Sequence, residues 1–510
     1  MSIVKGRLSG VKVLLVVLSM AVLPKVFGQA SLSELQHLVR QEPTNVQAWV
    51  DLGQLHLEAR RLADAKDAFL EAIALEYTVG EAHFGLGLTE YAAGDYQAAL
   101  FAFSEVTRLF PERFDGHFNR AVTLARLRRA DEAVDAFREA LANAEPEATN
   151  EDLVSTNVGL AGQLKRLSRY DEAAEAYQSA LTLKPDDYEL AYRWGEAMYN
   201  AGKGLEALPP LTELEGETRD YRVSALMADI YVEQGQVDYG LRALQRALRR
   251  ATEADDGPAQ ANVLVKLGLL QSDLGRDSDA LASFERAVRA DSESWQASYQ
   301  LGASYMELGY LERAQALLED ALALGGDSGE LRLALAGTYS QLGQNDRALM
   351  HAEAARQRLS ERELVAEAEF IVGRALYLQG DFRGARNAFE LFVSSRPESA
   401  PGQLWAGLAE YALGEYQRAA QFYERAVQLD PDSVEARANL GAAYLASERY
   451  DDAAMVYDML IEQHPDDAQL HYNLGWALLA SGNREDARAA WQAAVELGYG
   501  PAQSALSQYF

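Results

Sequence analysis

The stretch LWAGLAEYALGEYQRAAQFYERAVQLDP, residues 404–431, decides how the rest of the chain is interpreted. It gathers acidic residues, tyrosines, arginines and two glycines into one short window, as an active site would. The same composition also suits a single copy of a repeated unit. A search of the remaining sequence for similar stretches distinguishes the two interpretations.

The stretch recurs, imperfectly, at a period of 34 residues. Copies begin near residues 46, 80, 114, 154, 188, 221, 261, 295, 329, 366, 400, 434 and 468. Thirteen such units, with a few short insertions and one deletion, fill residues 46–501. Almost no sequence is left for a separate domain.

Three positions of the unit hold side chains of nearly constant size. Position 8 is glycine or alanine in every copy, and position 20 is alanine in all but one copy, which has Gly240. Position 24 is large in most copies: Phe69, Phe103, Phe137, Tyr177, Phe284, Phe389, Tyr423, Tyr457 and Trp491. Short side chains let two helix backbones approach, and the large one fills the space beside them. Together with apolar residues at helical spacing and glycine turns near position 15, this predicts pairs of antiparallel helices.

This pattern resembles the tetratricopeptide repeat, a helix–turn–helix unit of about 34 residues. The resemblance implies an all-α fold, an α-solenoid in the form of a right-handed superhelix of about thirteen units. Residues 31–45 are expected to form an N-terminal capping helix and residues 502–510 a short C-terminal one. The array is expected to have an N-terminal segment, 46–220, and a C-terminal segment, 221–501. The reason is that Pro209 and Pro210 fall inside a second helix, which they should delay or break. The alternative is that packing absorbs the kink and the array stays continuous.

The first 28 residues have the order of a secretory signal peptide. Lys5, Arg7 and Lys12 precede an apolar run over residues 13–23, and small residues follow at Gly28 and Ala30. An uncleaved N-terminal anchor is the alternative, although the run is short for a membrane span. The segment predicts an exported protein of bacterial type, periplasmic or at the cell surface, without a transmembrane domain once the signal is removed.

The charge of the chain restricts its partners. The formal net charge is −30, from 77 acidic and 47 basic residues, and cysteine is absent. A strongly acidic protein is poorly suited to nucleic acid, because binding the phosphate backbone needs a basic surface. The balance favours a protein or peptide partner that is basic or neutral.

Catalytic and cofactor motifs are missing from the sequence. The seven histidines do not form a short metal-ligand spacing, so neither a metal nor another cofactor is predicted. His83, His117 and His471 share position 4 of their repeats, which predicts a structural role. Acidic pairs recur where second helices begin, and there they suit the positive end of the helix dipole better than acid–base catalysis. We therefore predict that the protein is not an enzyme.

The family resemblance also implies where a partner would bind. In this family the first helix lines the concave groove, commonly through positions 2, 5, 9, 12 and 13, and positions 5 and 12 are often aromatic. In this chain they hold the predicted partner-binding residues Phe84, Tyr91, Phe118, Tyr192, Tyr199, Tyr299, Phe370, Tyr377, Tyr411 and Tyr472. Aromatic side chains offer broad contact area at low entropic cost, although they are also the usual filling of such repeats. The lysine and asparagine pattern of the carboxylate-clamp members is missing. Arg193 and Lys266 are isolated basic residues at position 6, and Arg374 lies at position 9.

These observations predict a non-enzymatic protein–protein interaction scaffold of the cell envelope. Two alternatives remain at this point. The protein could be an anchored scaffold of an assembly or export machinery, or the specificity subunit of an envelope enzyme complex.

Overall fold

The computed structural model describes residues 31–144 and 148–510. Within these ranges all regular secondary structure is α-helical, which confirms the all-α fold class. The predicted signal segment, residues 1–28, lies outside the described residues, and so do residues 145–147 of one insertion. The chain divides into two compact units, Met1–Arg250 and Ala251–Phe510. The boundary expected near residue 220 stays a prediction.

The first unit contains twelve of the described helices and most of a thirteenth, which ends just beyond it. They are α1 (Leu32–Gln41), α2 (Val46–Glu58), α3 (Leu62–Leu75), α4 (Gly80–Ala93), α5 (Tyr96–Leu109), α6 (Phe114–Arg126), α7 (Ala130–Ala142), α8 (Asn150–Arg166), α9 (Tyr170–Leu183), α10 (Tyr188–Asn200), α11 (Gly204–Glu217), α12 (Tyr221–Glu233) and α13 (Val237–Glu253).

The second unit holds the remaining described helices. They are α14 (Gly257–Asp273), α15 (Asp277–Ala290), α16 (Trp295–Glu307), α17 (Leu311–Ala323), α18 (Gly329–Gln341), α19 (Asn345–Arg356), α20 (Arg362–Gln379), α21 (Phe382–Ser395), α22 (Ala400–Ala412), α23 (Tyr416–Leu429), α24 (Val434–Ala446), α25 (Tyr450–Gln463), α26 (Ala468–Ala480), α27 (Arg484–Glu496) and α28 (Gly500–Tyr509).

Neighbouring helices pack as the repeat pattern predicts, because the small and large positions meet. Ala385 at position 20 is fully buried, and so is Phe389 at position 24 of the same helix. A Cβ added to Gly373, at position 8, would lie 2.6 Å from the ring of Phe389. Such a distance is shorter than any relaxed contact, so a larger residue at this position would force the ring of Phe389 to shift. The predicted helix register is confirmed.

The turns between paired helices use a left-handed residue. Gly94 has φ +85° and Gly414 has φ +83°, which glycine adopts without steric cost. Arg60, Arg128, Ser168 and Glu448 take positive φ at the corresponding turns of other repeats. The turn geometry is therefore kept even where the sequence lacks glycine.

Helix α11 corrects one expectation. Pro209 and Pro210 do not delay or break it, since it runs without interruption over Gly204–Glu217. Both prolines lie on the exposed side of the helix, as do Leu205 and Glu206, whose carbonyls lose their donors. Water can therefore satisfy those carbonyls. Burial of Ala207, Leu211 and Leu214 along the opposite side holds the helix together.

Both ends of the described chain are helical. In α1, Ser31 and Glu34 form a capping box, Leu35 is buried, and Leu38 packs half-buried beside it. In α28, the ring of Tyr509 lies 5.9 Å from that of Trp491. None of the helices in the described ranges is both long and apolar enough to cross a bilayer.

Candidate functional site

First helices of successive repeats come into contact within each unit. In the first unit α2 contacts α4, α6 contacts α8 and α10 contacts α12. In the second unit contacts run from α14 through α16, α18 and α20 to α22, and α24 contacts α26. The ten aromatic residues predicted to bind a partner all lie on first helices. Their surroundings decide which of them a partner could reach.

In the first unit these aromatic rings are largely engaged by the protein itself. The guanidinium of Arg113 lies 5.0 Å from the ring centre of Phe84. The Nε of Arg126 donates to the Tyr91 hydroxyl at 3.0 Å. Phe118 is only 9% exposed and belongs to the hydrophobic core, which leaves a partner little of its surface.

Tyr192 and Tyr199 are also half-buried, and the neighbouring cation is paired. Burial raises the pKa of Tyr192 to about 12, and the nearby Glu196 carboxylate adds to the effect. Burial likewise raises the pKa of Tyr199. Arg222 covers the ring of Tyr192 at 4.6 Å, while one of its nitrogens donates to Glu189 at 2.7 Å. This region therefore satisfies its own charges.

Two predicted residues of the second unit lie in closed surroundings. Tyr299 is half-buried beside the core, and burial raises the pKa of its hydroxyl. The ring of Tyr472 lies 5.0 Å from that of Tyr499, which precedes the last helix, and 6.2 Å from that of Trp476. Both tyrosines therefore pack mainly against other side chains of the protein.

The remaining predicted residues lie on α20 and α22, two first helices that contact each other. The ring of Tyr377 lies 5.5 Å from that of Trp405, so these two first helices touch through aromatic side chains. Tyr411 is 37% exposed and Leu378 is 54% exposed. We call this surface the Arg374 face and define it as Phe370, Arg374, Tyr377, Leu378, Trp405 and Tyr411.

Arg374 is the charged group of this face. Its guanidinium carbon lies 5.3 Å from the ring centre of Trp405 and 6.0 Å from that of Phe370. Its Nε is buried and makes no hydrogen bond. In the part of the chain that the structure describes, the side chain forms neither an ion pair nor a hydrogen bond. A cation held against two aromatic rings with its donors unused is suited to bind an anion.

Sequence reasoning found Phe370, Tyr377 and Tyr411 but missed their neighbours. Trp405 occupies position 6, which the family pattern does not mark as aromatic, and Arg374 served only to set the carboxylate clamp aside. The available signal was a single arginine at position 9 among apolar first-helix residues.

The histidines at position 4 have the structural role that their position predicts. The Nε2 of His83, His117 and His471 lies 2.7–2.8 Å from the backbone carbonyls of Tyr77, Pro111 and Pro465, six residues earlier. Gln403 makes the same contact to Pro397 at 3.0 Å. Each bond ties the start of a first helix to the end of the preceding repeat.

The acidic groups also have local partners. Glu132 accepts from Arg129 at 2.5 Å and Glu172 accepts from Arg169 at 2.6 Å, in each case at the start of a second helix. These hydrogen bonds lower the pKa of both carboxyl groups. Within residues 31–144 and 148–510, His, Asp and Glu side chains form no group of three or more that could hold a metal ion.

Comparison with protein families gives matches along most of the chain. One family model described as tetratricopeptide repeat matches residues 29–77, 50–111, 84–148, 161–220, 265–328 and 372–434. A second with the same description matches residues 221–293, and a third matches residues 410–472 and 445–508. Comparison with curated proteins gave no match.

Among solved structures, the chain is similar to YrrB, a TPR protein with an unusual peptide-binding site. The identity is 25%, over 37% of this chain and 95% of YrrB, with a TM-score of 0.33. It is also similar to the APC/C hetero-tetramer Cut9–Hcn1, with 15% identity over 94% of this chain and 98% of that one, and a TM-score of 0.37. The chain is similar as well to Naa15/Naa10 bound to HypK-THB, with 15% identity over 91% of this chain and 77% of that one, and a TM-score of 0.38.

Proposed function

The chain belongs to the tetratricopeptide repeat family, and we propose that it is a non-enzymatic scaffold that binds a protein or peptide partner through its first helices. Arrays of stacked helix pairs present extended surfaces on which partners bind. Binding by shape and aromatic contact needs no catalytic group. We expect the principal contact with the partner at one surface of the array, the Arg374 face.

The observation that carries the proposal is the Arg374 face. Leu378 is 54% exposed and shares α20 with the half-buried Tyr377, and Tyr411 is 37% exposed and shares α22 with the half-buried Trp405. Exposed apolar side chains next to aromatic rings are typical of binding surfaces. An unpaired arginine at the centre adds a polar anchor, as binding sites commonly have.

A peptide-selection experiment tests this proposal. The full chain would be immobilised and used to select phage-displayed, randomised 12-residue peptides, and affinities would be measured by fluorescence polarisation with synthetic copies. We expect selected peptides to lose at least tenfold in affinity for Leu378→Asp. A charge in an apolar contact must be desolvated without a partner, which opposes binding.

The chain offers a closely matched control for this variant. Leu391 lies on α21, the second helix of the same repeat, and is also 54% exposed. Leu391→Asp should bind the selected peptides as the wild type does. Equal loss in both variants, or no loss in either, would contradict binding through the first helices.

The location in the cell envelope is part of the proposal and depends on the first 28 residues. Their basic and then apolar sequence favours export, and the net charge of −30 favours a partner that is basic or neutral overall. Determination of the mature N-terminus and fractionation of cells test this part. A cytosolic protein that retains Met1 would contradict it, and an intact N-terminus in the membrane fraction would favour an anchored scaffold.

A further inference from the structure

We propose that the Arg374 face binds an extended peptide segment through one side-chain carboxylate, an Asp or Glu, placed next to apolar side chains. This inference deepens the proposed function and rests on it. It names the chemistry of the partner at the one position where the face carries an unused charge.

The positive charge of Arg374 has no carboxylate partner within the described residues, and a ligand can supply one. The Nε of Arg374 is buried without a hydrogen-bond partner, although burial of a donor normally requires one. The aromatic rings of Trp405 and Phe370 partly stabilise the cation but accept no conventional hydrogen bond from it. A carboxylate would accept from the terminal guanidinium nitrogens, which are not among the buried atoms, and supply the missing charge pair.

Other arginines on first helices have carboxylate partners within the protein. Arg222 is also set over an aromatic ring, at 4.6 Å from Tyr192, but it donates to both Asp220 and Glu189. Arg193 donates to Glu189 at 2.8 Å. Arg374 has the same ring contact without the carboxylate, so the missing element is an acidic group from outside.

The charge balance favours a carboxylate over a phosphate group. Arg374 supplies a single positive charge among apolar residues, which matches the single negative charge of Asp or Glu. A phosphate group carries nearly two negative charges and is normally bound by several basic groups. The chain as a whole is strongly acidic, so the partner segment should carry this carboxylate in an otherwise neutral or basic sequence.

The surroundings of Arg374 predict the neighbours of that carboxylate. Leu378 lies one turn beyond Arg374 on α20, and Tyr411 lies on the next first helix. Both are exposed, so apolar side chains of the segment can pack on them. The chain's own residues 1–30 do not fit this description, because they contain four basic residues and no Asp or Glu.

The test compares peptide selection by the wild type with selection by Arg374→Gln and Arg374→Lys. The probes are the same phage-displayed 12-residue peptides, and circular dichroism checks that each variant is folded. Peptides selected by the wild type should be enriched in Asp or Glu beside apolar residues. Arg374→Gln should lose that enrichment, and Arg374→Lys should retain part of it, because lysine keeps the charge but not the planar donor pair.

Synthetic peptides then give the size of the effect. Arg374→Gln should weaken the best acidic peptide about ten- to hundredfold, the loss typical of a hydrogen bond to a charged group. The same peptide with its carboxylate changed to the amide should bind the wild type and Arg374→Gln with equal affinity. Such a double-mutant cycle assigns the loss to this one contact.

The outcomes separate this inference from the proposed function. Suppose that the selected peptides lose affinity for Leu378→Asp, but that wild type and Arg374→Gln select peptides with the same Asp and Glu content. This result would contradict recognition of a carboxylate by Arg374 and would still support peptide binding at the Arg374 face. Failure to select any peptide sensitive to Leu378→Asp would overturn both. Light scattering that shows a dimer for the wild type and a monomer for Arg374→Gln would mean that the Arg374 face binds a second copy of this chain, and it would overturn the inference.

Discussion

Gly407 and Tyr423 face each other across α22 and α23, so closely that a Cβ on Gly407 would lie 2.5 Å from Cε1 of the tyrosine ring. Tyr423 is 1% exposed. These are positions 8 and 24 of the stretch from which the repeat is recognised. The contact explains why a small residue at position 8 accompanies a large one at position 24.

The first prediction concerns this contact. Gly407→Ala should lower the free energy of unfolding by about 1–3 kcal/mol, because the added methyl group overpacks a closed helix interface. Denaturant unfolding and hydrogen exchange of α22 and α23 amides measure the change. Gly337→Ala is the control, since the nearest atom to its Cβ is Met306 Sδ at an ordinary 3.5 Å. There alanine should be neutral or stabilising by up to about 1 kcal/mol. Equal effects at both sites would contradict the register.

The second prediction concerns Glu215, which joins α11 to the helices after it. It accepts hydrogen bonds from Ser224 and, at 3.0 Å, from Arg246, and Arg250 lies 3.8 Å away. Burial opposes ionisation of this carboxyl, but the hydrogen bonds of Ser224 and Arg246 outweigh it and lower its pKa. Glu215→Gln should cost about 2 kcal/mol at pH 7, as expected for hydrogen bonds to a charged group.

The pH dependence of that loss follows from the direction of the pKa shift. A lowered pKa means that the ionised form contributes stability above the unfolded-state pKa near 4.5. That stability is lost as the pH falls through the folded-state pKa. The difference between wild type and Glu215→Gln should therefore vanish in acid. The exposed Glu213→Gln on the same helix should show little difference at any pH.

The third prediction has the opposite sign and concerns Glu410. This carboxylate is fully buried, and neither of its oxygens accepts a hydrogen bond. A guanidinium nitrogen of Arg418 lies 3.1 Å from Oε1 but donates to Glu390 instead. Glu410→Met should stabilise the protein by about 1 kcal/mol at pH 7, because it removes two buried acceptors that make no hydrogen bond and leaves Arg418 its hydrogen bond to Glu390.

The gain should grow with pH. Burial raises the pKa of Glu410, more than the nearby arginines lower it, so its contribution is most favourable below the unfolded-state pKa near 4.5. It is lost as the pH rises through the folded-state pKa. Glu90, at the same repeat position, pairs with Lys66 at 2.7 Å and is the matched control. Glu90→Met should destabilise the protein, and a stabilising effect there would contradict this explanation.

The fourth prediction concerns the two prolines of α11. Pro210→Ala should stabilise this helix by about 2 kcal/mol. The helix-interior penalty of proline, about 3 kcal/mol, is partly offset by its restriction of the unfolded chain. Hydrogen exchange of α11 amides measures the local stability of this helix. A local measurement is appropriate because a repeat array need not unfold in one step. Glu213→Ala on the same helix should change exchange far less, and faster exchange in Pro210→Ala would contradict the prediction.

The sequence by itself determined the repeat, its register and the all-α fold. The helix pair is specified within one 34-residue unit, as by Gly407 and Tyr423 sixteen residues apart. Such packing constraints recur often enough to be read without coordinates.

The tertiary structure decided what no single repeat contains. It placed Trp405 against Arg374, left Glu410 without hydrogen bonds, and allowed α11 to pass through Pro209 and Pro210. Each outcome depends on how deeply a polar group is buried and on whether a neighbouring helix supplies its hydrogen-bond partner. In α11 the unpaired carbonyls remain accessible to water. Desolvation and pairing arise from contacts between successive repeats, and a periodic sequence pattern does not record them.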